Sequence, residues 1–253
     1  MSTVYFVGAG PGAADLITLR GRALLGRADV VIYAGSLVNP ALLDFAKTGC
    51  EIHNSAAMTL DEVVETMQSA AVRGKTVVRL HTGDPSLYGA IREQMDRLSS
   101  LNIAYEICPG VSSLNAAAAA LRTEYTLPGV SQTVILTRAT GKTPVPEREA
   151  IRPLAAHQAT MVLFLSAGLL EAVSGDLIAG GYAPDTPAAI VYKASWPEEK
   201  TVRCTVASLA KSAADNNITK TALICVGAFL GSDYELSRLY APDFSTEYRE
   251  AKG

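Results

Sequence analysis

The chain has 253 residues, a formal net charge of −3 and a pI near 5.7, with 49% hydrophobic and 19% charged residues. That length buries a real core in one large or two modest domains, and the acidity argues against nucleic acid as the main partner while permitting a local basic patch for a small acidic ligand. No apolar run is long enough to span a bilayer, and the chain enters a strand-like run without a basic segment and cleavage site, so a cytoplasmic, non-membrane protein is expected.

Val4 to Val7 reads as a strand that runs into Gly8-Ala9-Gly10-Pro11-Gly12-Ala13, a formal match to the G-x-G-x-x-A dinucleotide fingerprint, with a helix expected from about Leu16 to Ala28. The match fails two tests. The second strand, Val30 to Ala34, ends in Gly35-Ser36 rather than in an acidic residue for a ribose, and Asp29 lies at its opposite end. Pro11 also removes an amide that a pyrophosphate would use. Tyr33, at the close of that strand, is either a half-buried strand residue or a site residue. From Thr59 a capping box with Glu62 opens a packing helix with Leu60, Val63, Val64, Met67 and Ala71 on one stripe.

The run Thr76 to Leu80 predicts a buried strand ending at His81-Thr82-Gly83-Asp84-Pro85, after which Leu87, Ile91, Met95 and Leu98 mark one face of a helix. Open α/β sheets bind ligands at such strand ends, where Asp84 presents a carboxylate. Ala104 to Cys108 is the next strand, turning through Pro109-Gly110-Val111-Ser112-Ser113 into an alanine-rich helix over Leu114 to Leu121. The aperiodic segment 123–128 separates an N-terminal domain, 1–122, from a C-terminal one, 129–253. In the second, strands are expected at Thr133 to Thr137, Met161 to Leu165, Ala188 to Tyr192, Val202 to Val206 and Ala222 to Val226, with a cationic loop from Arg138 through Lys142 to Pro144. Cys50, Cys108, Cys204 and Cys225 form no Cys-x-x-Cys pair, and His53, His81 and His157 are not spaced for ligation, so no metal site is expected. Alternation of strands and helices predicts an α/β fold.

Val7-Gly8-Ala9-Gly10-Pro11-Gly12 with Asp15-Leu16-Ile17-Thr18, Gly83-Asp84-Pro85, Pro109-Gly110-Val111-Ser112-Ser113 and the strand Met161 to Leu165 together resemble the tetrapyrrole methylases. Within them, Tyr33-Ala34-Gly35-Ser36-Leu37-Val38, the run His81 to Ala90, and Thr137-Arg138 with Gly141-Lys142-Thr143-Pro144 resemble the branch that methylates C11 of precorrin-4 in cobalamin biosynthesis. The resemblance implies two α/β domains with mostly parallel or mixed sheets, a cleft between them for the methyl donor S-adenosyl-L-methionine, a tetrapyrrole substrate, and a homodimer. Carried over by motif, it assigns donor contacts to Pro11, Thr82, Gly83, Asp84, Leu87, Ser112, Ser113, Leu165, Tyr192 and Ala222. By their chemistry and placement, Tyr33, His81, Asp84 and Arg138 are the candidates nearest the chemistry. Asp84 is expected to position the donor rather than act as base; Tyr33 and His81 to move protons or orient the macrocycle; Arg138, ahead of Lys142, Arg79 and Arg20, to anchor substrate carboxylates. Open beside this are the cobalt-containing substrate, an NAD(P)-dependent oxidoreductase, a ribosomal-RNA methyltransferase and a non-catalytic binding module.

Overall fold

Short runs of β-branched and aliphatic residues form the strands of two sheets in a computed structural model that describes residues 3–35 and 37–251. The chain divides into two compact units. One runs from the N-terminus to Ala120 and also takes Lys193–Glu199; the other comprises Leu121–Tyr192 and the chain from Lys200 onward.

In the first unit, Thr3–Gly8 (β1), Val30–Tyr33 (β2), Glu51–Asn54 (β3), Val77–His81 (β4) and Ala104–Cys108 (β5) make an all-parallel sheet in the order β3-β2-β4-β1-β5. Helices Leu19–Arg27 (α1), Leu60–Val72 (α2), Arg92–Ser100 (α3) and Ser113–Leu121 (α4) connect them. The inner strands β2, β4 and β1 are largely apolar because both faces are covered, with Arg79 and His81 of β4 as buried exceptions. Val7, Val31, Val78 and Leu80 pack with Leu24 and Leu25 of α1 on one face; Val4, Phe6, Val30 and Ile32 pack with Val63 and Met67 of α2 and Leu98 of α3 on the other. The Thr59 capping box forms with both arms in place.

Three sequence expectations shift. The first helix starts at Leu19, where the Thr18 side chain accepts the Gly21 amide, rather than near Leu16. β3 was not anticipated; its residues, Glu-Ile-His-Asn, lack a buried stripe because it is an edge strand. The helix expected to open with Leu87 begins only at Arg92: Gly89 folds against the Pro85 carbonyl, and Tyr88 and Ala90 take left-handed φ of 57° and 49°. Residues 86–91 are therefore a shaped loop at the strand's exit.

In the second unit, Val134–Arg138 (β6), Thr160–Phe164 (β7), Pro187–Tyr192 (β8), Lys200–Thr205 (β9) and Ala222–Val226 (β10) form a mixed sheet in the order β6-β7-β10-β8-β9, parallel only between β6 and β7. Ile151–Ala155 (α5), Leu170–Ala179 (α6) and Leu209–Asp215 (α7) accompany it, and Met161, Leu163, Val173, Leu177, Ile190 and Ile224 fill its core.

Arg79, in the middle of β4, is only 7% exposed. Its Nε donates to Gln94 Oε1 at 3.1 Å and an Nη donates to the Ile32 carbonyl at 3.2 Å, while Gln94 Nε2 donates to the Ala90 carbonyl at 3.0 Å. Burial pushes its pKa down to about 10, so it keeps its charge at neutral pH. Among the described residues it makes no salt bridge. The guanidinium is thus spent on tying β2 and α3 to the shaped loop, which takes it out of the set of substrate anchors. Replacing it takes a donor from the Ile32 carbonyl and leaves Gln94 Oε1 without one, so Arg79→Met is expected to cost about 2–4 kcal/mol in urea denaturation. The Arg79→Met/Gln94→Leu double variant should lose less than the sum of the singles.

Candidate functional site

At the carboxyl edge of the first sheet, β1, β4 and β5 each end in a glycine-containing turn, and the three turns touch. A Cβ on Gly8 would lie 2.5 Å from Gly110 Cα and 2.6 Å from the Gly83 carbonyl oxygen; one on Gly110 would lie 2.7 Å from Gly8 Cα. Such distances admit only glycine at positions 8 and 110. Gly83, at φ +60°, lies against the backbone of Ser112 and Ser113 at the start of α4.

Asp84 ties this arrangement together. One carboxylate oxygen accepts the Gly110 amide at 2.8 Å; the other accepts the Ser86 amide at 2.8 Å and also the Ser86 hydroxyl. Burial by itself raises the carboxyl pKa, but the Ser86 hydroxyl and the two amides outweigh it and hold the group below the usual carboxylate value. An ionised carboxylate this fully engaged is a poor base.

The glycine loop that follows β1 has little amide left to offer. The Ala9 amide donates to the His81 carbonyl at 2.7 Å, that of Gly10 to Gly83 at 3.3 Å, and that of Ala13 to Ser195 Oγ at 3.0 Å, while Pro11 has none. Its carbonyls are engaged as well: Pro11 accepts Trp196 Nε1 at 3.0 Å and Gly12 accepts Asn39 Nδ2 at 2.8 Å. A pyrophosphate cradle needs a row of free N–H groups, so the oxidoreductase alternative loses its binding element.

His81 closes β4 with 5% exposure, its ring centroid 6.1 Å from that of Phe6, and its Nε2 has no hydrogen-bond partner among the described residues. Burial, reinforced by the charge of Arg79, pushes its pKa down to about 3. It therefore stays neutral at physiological pH. Tyr33 pairs in register with Leu80 and packs with the α1-side core, so the two residues lie on opposite faces of the sheet. Ser55 Oγ donates to the Tyr33 carbonyl at 3.1 Å.

In the second unit, four candidates share one edge. Arg138 ends β6 level with Phe164, Leu165 follows β7 with a left-handed φ of 52° and 65% exposure, and Ala222 pairs with Tyr192. The antiparallel register that joins Ile224 to Leu163 brings Ala222 level with Leu165. Arg138 donates to the carbonyls of Thr143 at 3.1 Å and Pro144 at 2.8 Å, so its fork shapes its own loop.

Residues 3–210 match the family model of the Tetrapyrrole (Corrin/Porphyrin) Methylases. The chain belongs to the tetrapyrrole methylases. A cobalt-precorrin-4 C(11)-methyltransferase of Methanocaldococcus jannaschii is 53% identical over 98% of this chain and 96% of its own. A precorrin-4 C(11)-methyltransferase of Mycobacterium tuberculosis is 50% identical over 91% and 92%. Among solved structures, a cobalt precorrin-4 methyltransferase superimposes with a TM-score of 0.89 at 50% identity, over 91% of this chain and 96% of that one. A Thermus thermophilus uroporphyrin-III C-methyltransferase, complexed with S-adenosylhomocysteine, follows at 0.76 and 28%, over 90% and 93%.

In this tetrapyrrole methylase the first unit carries Pro11, Thr82, Gly83, Asp84, Leu87 and Ser112 on the loops that follow its strands and Ser113 at the start of α4, with Ser112 buried and its Oγ accepting the Leu114 amide at 3.2 Å. Ser36 lies outside the described residues. The residues that sequence reading missed are Asn39, Ser195 and Trp196. Trp196 is the single tryptophan of the chain, which was a signal, but its partners Pro11 and Gly12 are more than 180 positions away.

The low pKa of His81 has a thermodynamic consequence. As pH falls below about 6.5, the unfolded chain takes up a proton that the folded chain refuses, so stability is lost progressively down to about pH 3. The loss from this one group is about 2 kcal/mol at pH 5. Urea denaturation at neutral pH and at pH 5 should show it in the native chain and a smaller one in His81→Leu; equal pH dependence in both would clear His81 as the source.

Proposed function

We propose that this chain transfers a methyl group from S-adenosyl-L-methionine to C11 of precorrin-4, giving precorrin-5 and S-adenosylhomocysteine in cobalamin biosynthesis. The observation that carries this reading is the glycine edge of the first sheet: a surface of bare backbone, with no free amide row for phosphate, formed by the motif residues of a methylase family. That surface fits a sulfonium donor, which has no phosphate to bind and needs its backbone neighbours close.

S-adenosylmethionine, when bound, supplies an electrophilic methyl group on a cationic sulfur. What the protein adds is placement and dryness, since methyl transfer needs near-linear approach to an electron-rich carbon and exclusion of water. Gly8 and Gly110 allow backbone approach that any side chain would block, and Gly83 takes a left-handed φ that favours glycine. Asp84 holds the β4 and β5 turns in one geometry. Thr82, Leu87, Ser112 and Ser113 line the same edge. Leu165, Tyr192 and Ala222, level on the second sheet, are the remaining assigned contacts. Tyr33 orients the macrocycle; His81, neutral and buried, supports the turn from behind. Arg138 reaches a substrate carboxylate by exchanging its bonds to Thr143 and Pro144. The protein works as a homodimer in the cytoplasm.

The cobalt-containing intermediate is the second reading, favoured by the 53% identity to the archaeal cobalt-precorrin-4 enzyme. The metal then belongs to the substrate. Incubating the protein with labelled S-adenosylmethionine and a precorrin-generating mixture, with and without cobalt, should yield a C11-methylated product identified by mass spectrometry; labelling only with cobalt selects the second reading, and none in either arm rejects both. Asp84→Ala, which frees the Gly110 amide, is expected to weaken S-adenosylmethionine binding by about tenfold or more in calorimetry, whereas unchanged affinity with lost turnover would make Asp84 a chemical group.

A further inference from the structure

Three consecutive positions of the loop after β1 have their backbone groups held by side chains from elsewhere in the sequence. Trp196 Nε1 donates to the Pro11 carbonyl at 3.0 Å, Asn39 Nδ2 donates to the Gly12 carbonyl at 2.8 Å, and Ser195 Oγ accepts the Ala13 amide at 3.0 Å. Two of the three come from Lys193–Glu199, the connection between β8 and β9, which belongs to the first unit although both strands it joins belong to the second. The indole lies so close on Gly12 that a Cβ there would sit inside its ring atoms.

The connection is itself built for this. Lys193 and Ser195 adopt left-handed φ of 46° and 66°, which non-glycine residues hold only where their surroundings over-determine them. The surroundings do. The Trp196 amide donates to the Lys193 carbonyl at 2.9 Å, the Glu199 amide to the Trp196 carbonyl at 3.0 Å, and the Ser195 amide to Glu199 Oε2 at 2.6 Å. The Lys193 ammonium sits 5.1 Å from the indole centroid and 3.5 Å from Glu198. A strained, internally braced segment that spends its serine hydroxyl and its indole N–H on the Pro11–Ala13 backbone is a clamp.

We propose that Lys193–Glu199, anchored by Trp196 and Ser195, is the positioning element that sets the geometry of the donor loop Pro11–Ala13. Trp196 and Ser195 act through the loop and are positioning residues. As far as it concerns the methyl donor, the inference rests on the function proposed above. Its structural half does not.

The experiment uses the full chain and the variants Trp196→Phe, Trp196→Ala and Ser195→Ala, each checked for a native melting transition. Calorimetry with S-adenosylhomocysteine is expected to give affinity about three- to tenfold weaker for Trp196→Phe and weaker still for Trp196→Ala. In steady-state assays KM for S-adenosylmethionine should rise while KM for the tetrapyrrole holds. Hydrogen exchange at the Ala13 amide should accelerate in Ser195→Ala. If Trp196→Ala does not fold, Trp196→Phe and Ser195→Ala decide. Folded variants of both with native affinity and native Ala13 protection would overturn the proposal. A native chain that binds no S-adenosylhomocysteine, beside variants with faster Ala13 exchange, would reject the donor reading and leave the clamp standing.

Discussion

The contact on which the site depends is the meeting of Gly8, Gly83 and Gly110 at the carboxyl edge of a parallel sheet. Parallel strands bring their carboxyl ends to the same edge, so the turns after β1, β4 and β5 must share one small volume. With side chains there, the turns would splay; with glycines, backbone lies on backbone. Once that close approach is made, the Asp84 carboxylate falls within reach of the Gly110 amide and fastens it. Much else at the edge, from the loop amides spent on neighbouring carbonyls to the left-handed residues at 88 and 90, adjusts to that approach.

Behind the edge, the sheet's other face carries an arrangement that costs stability. Arg79 and His81 are both buried beside Phe6 and α3, one charged and hydrogen-bonded, the other neutral with an unsatisfied nitrogen. Desolvation makes each unfavourable alone. Their geometry shows the return: Arg79 reaches across β2 to the Ile32 carbonyl, one residue before Tyr33, and through Gln94 to Ala90 in the shaped loop. A charged group can satisfy two distant carbonyl and amide partners at once, which no apolar residue of its volume can. The edge is stiffened from behind by polar bonds and from its own side by Asp84.

The same bookkeeping of polar groups separates two chemistries that begin with similar sequences. A dinucleotide loop leaves its amides free and points them at phosphate; here the amides of Ala9, Gly10 and Ala13 are consumed and Pro11 has none. The difference lies in hydrogen-bond partners rather than in glycine spacing, and it agrees with membership of a methylase family.

Much of this was legible in the sequence because its causes are local. Strand positions followed from apolar runs, the α2 start from Thr59 and Glu62, and the glycine turns from their spacing, since propensity, capping and turn chemistry act over a few residues. Gly35, standing where a ribose-binding acidic residue would be, points away from nicotinamide from the sequence alone. The late start of α3 was not legible: Leu87, Ile91 and Met95 keep helical spacing, and only the packing of Gly89 on Pro85 forces the intervening residues into a loop. Nor could periodicity distinguish Arg79 as a buried tie from Arg79 as a surface anchor, because its partners are 15 and 47 residues away. Trp196 is the extreme case, bonded to Pro11 across 185 positions. By itself the sequence determined most of the strands and helices, though not the edge strand β3 or the start of α3, and where the chain must turn tightly. Which groups are consumed and which remain for a ligand was decided only by tertiary structure, because a hydrogen bond is satisfied by whatever partner the fold brings within 3 Å, however distant along the chain.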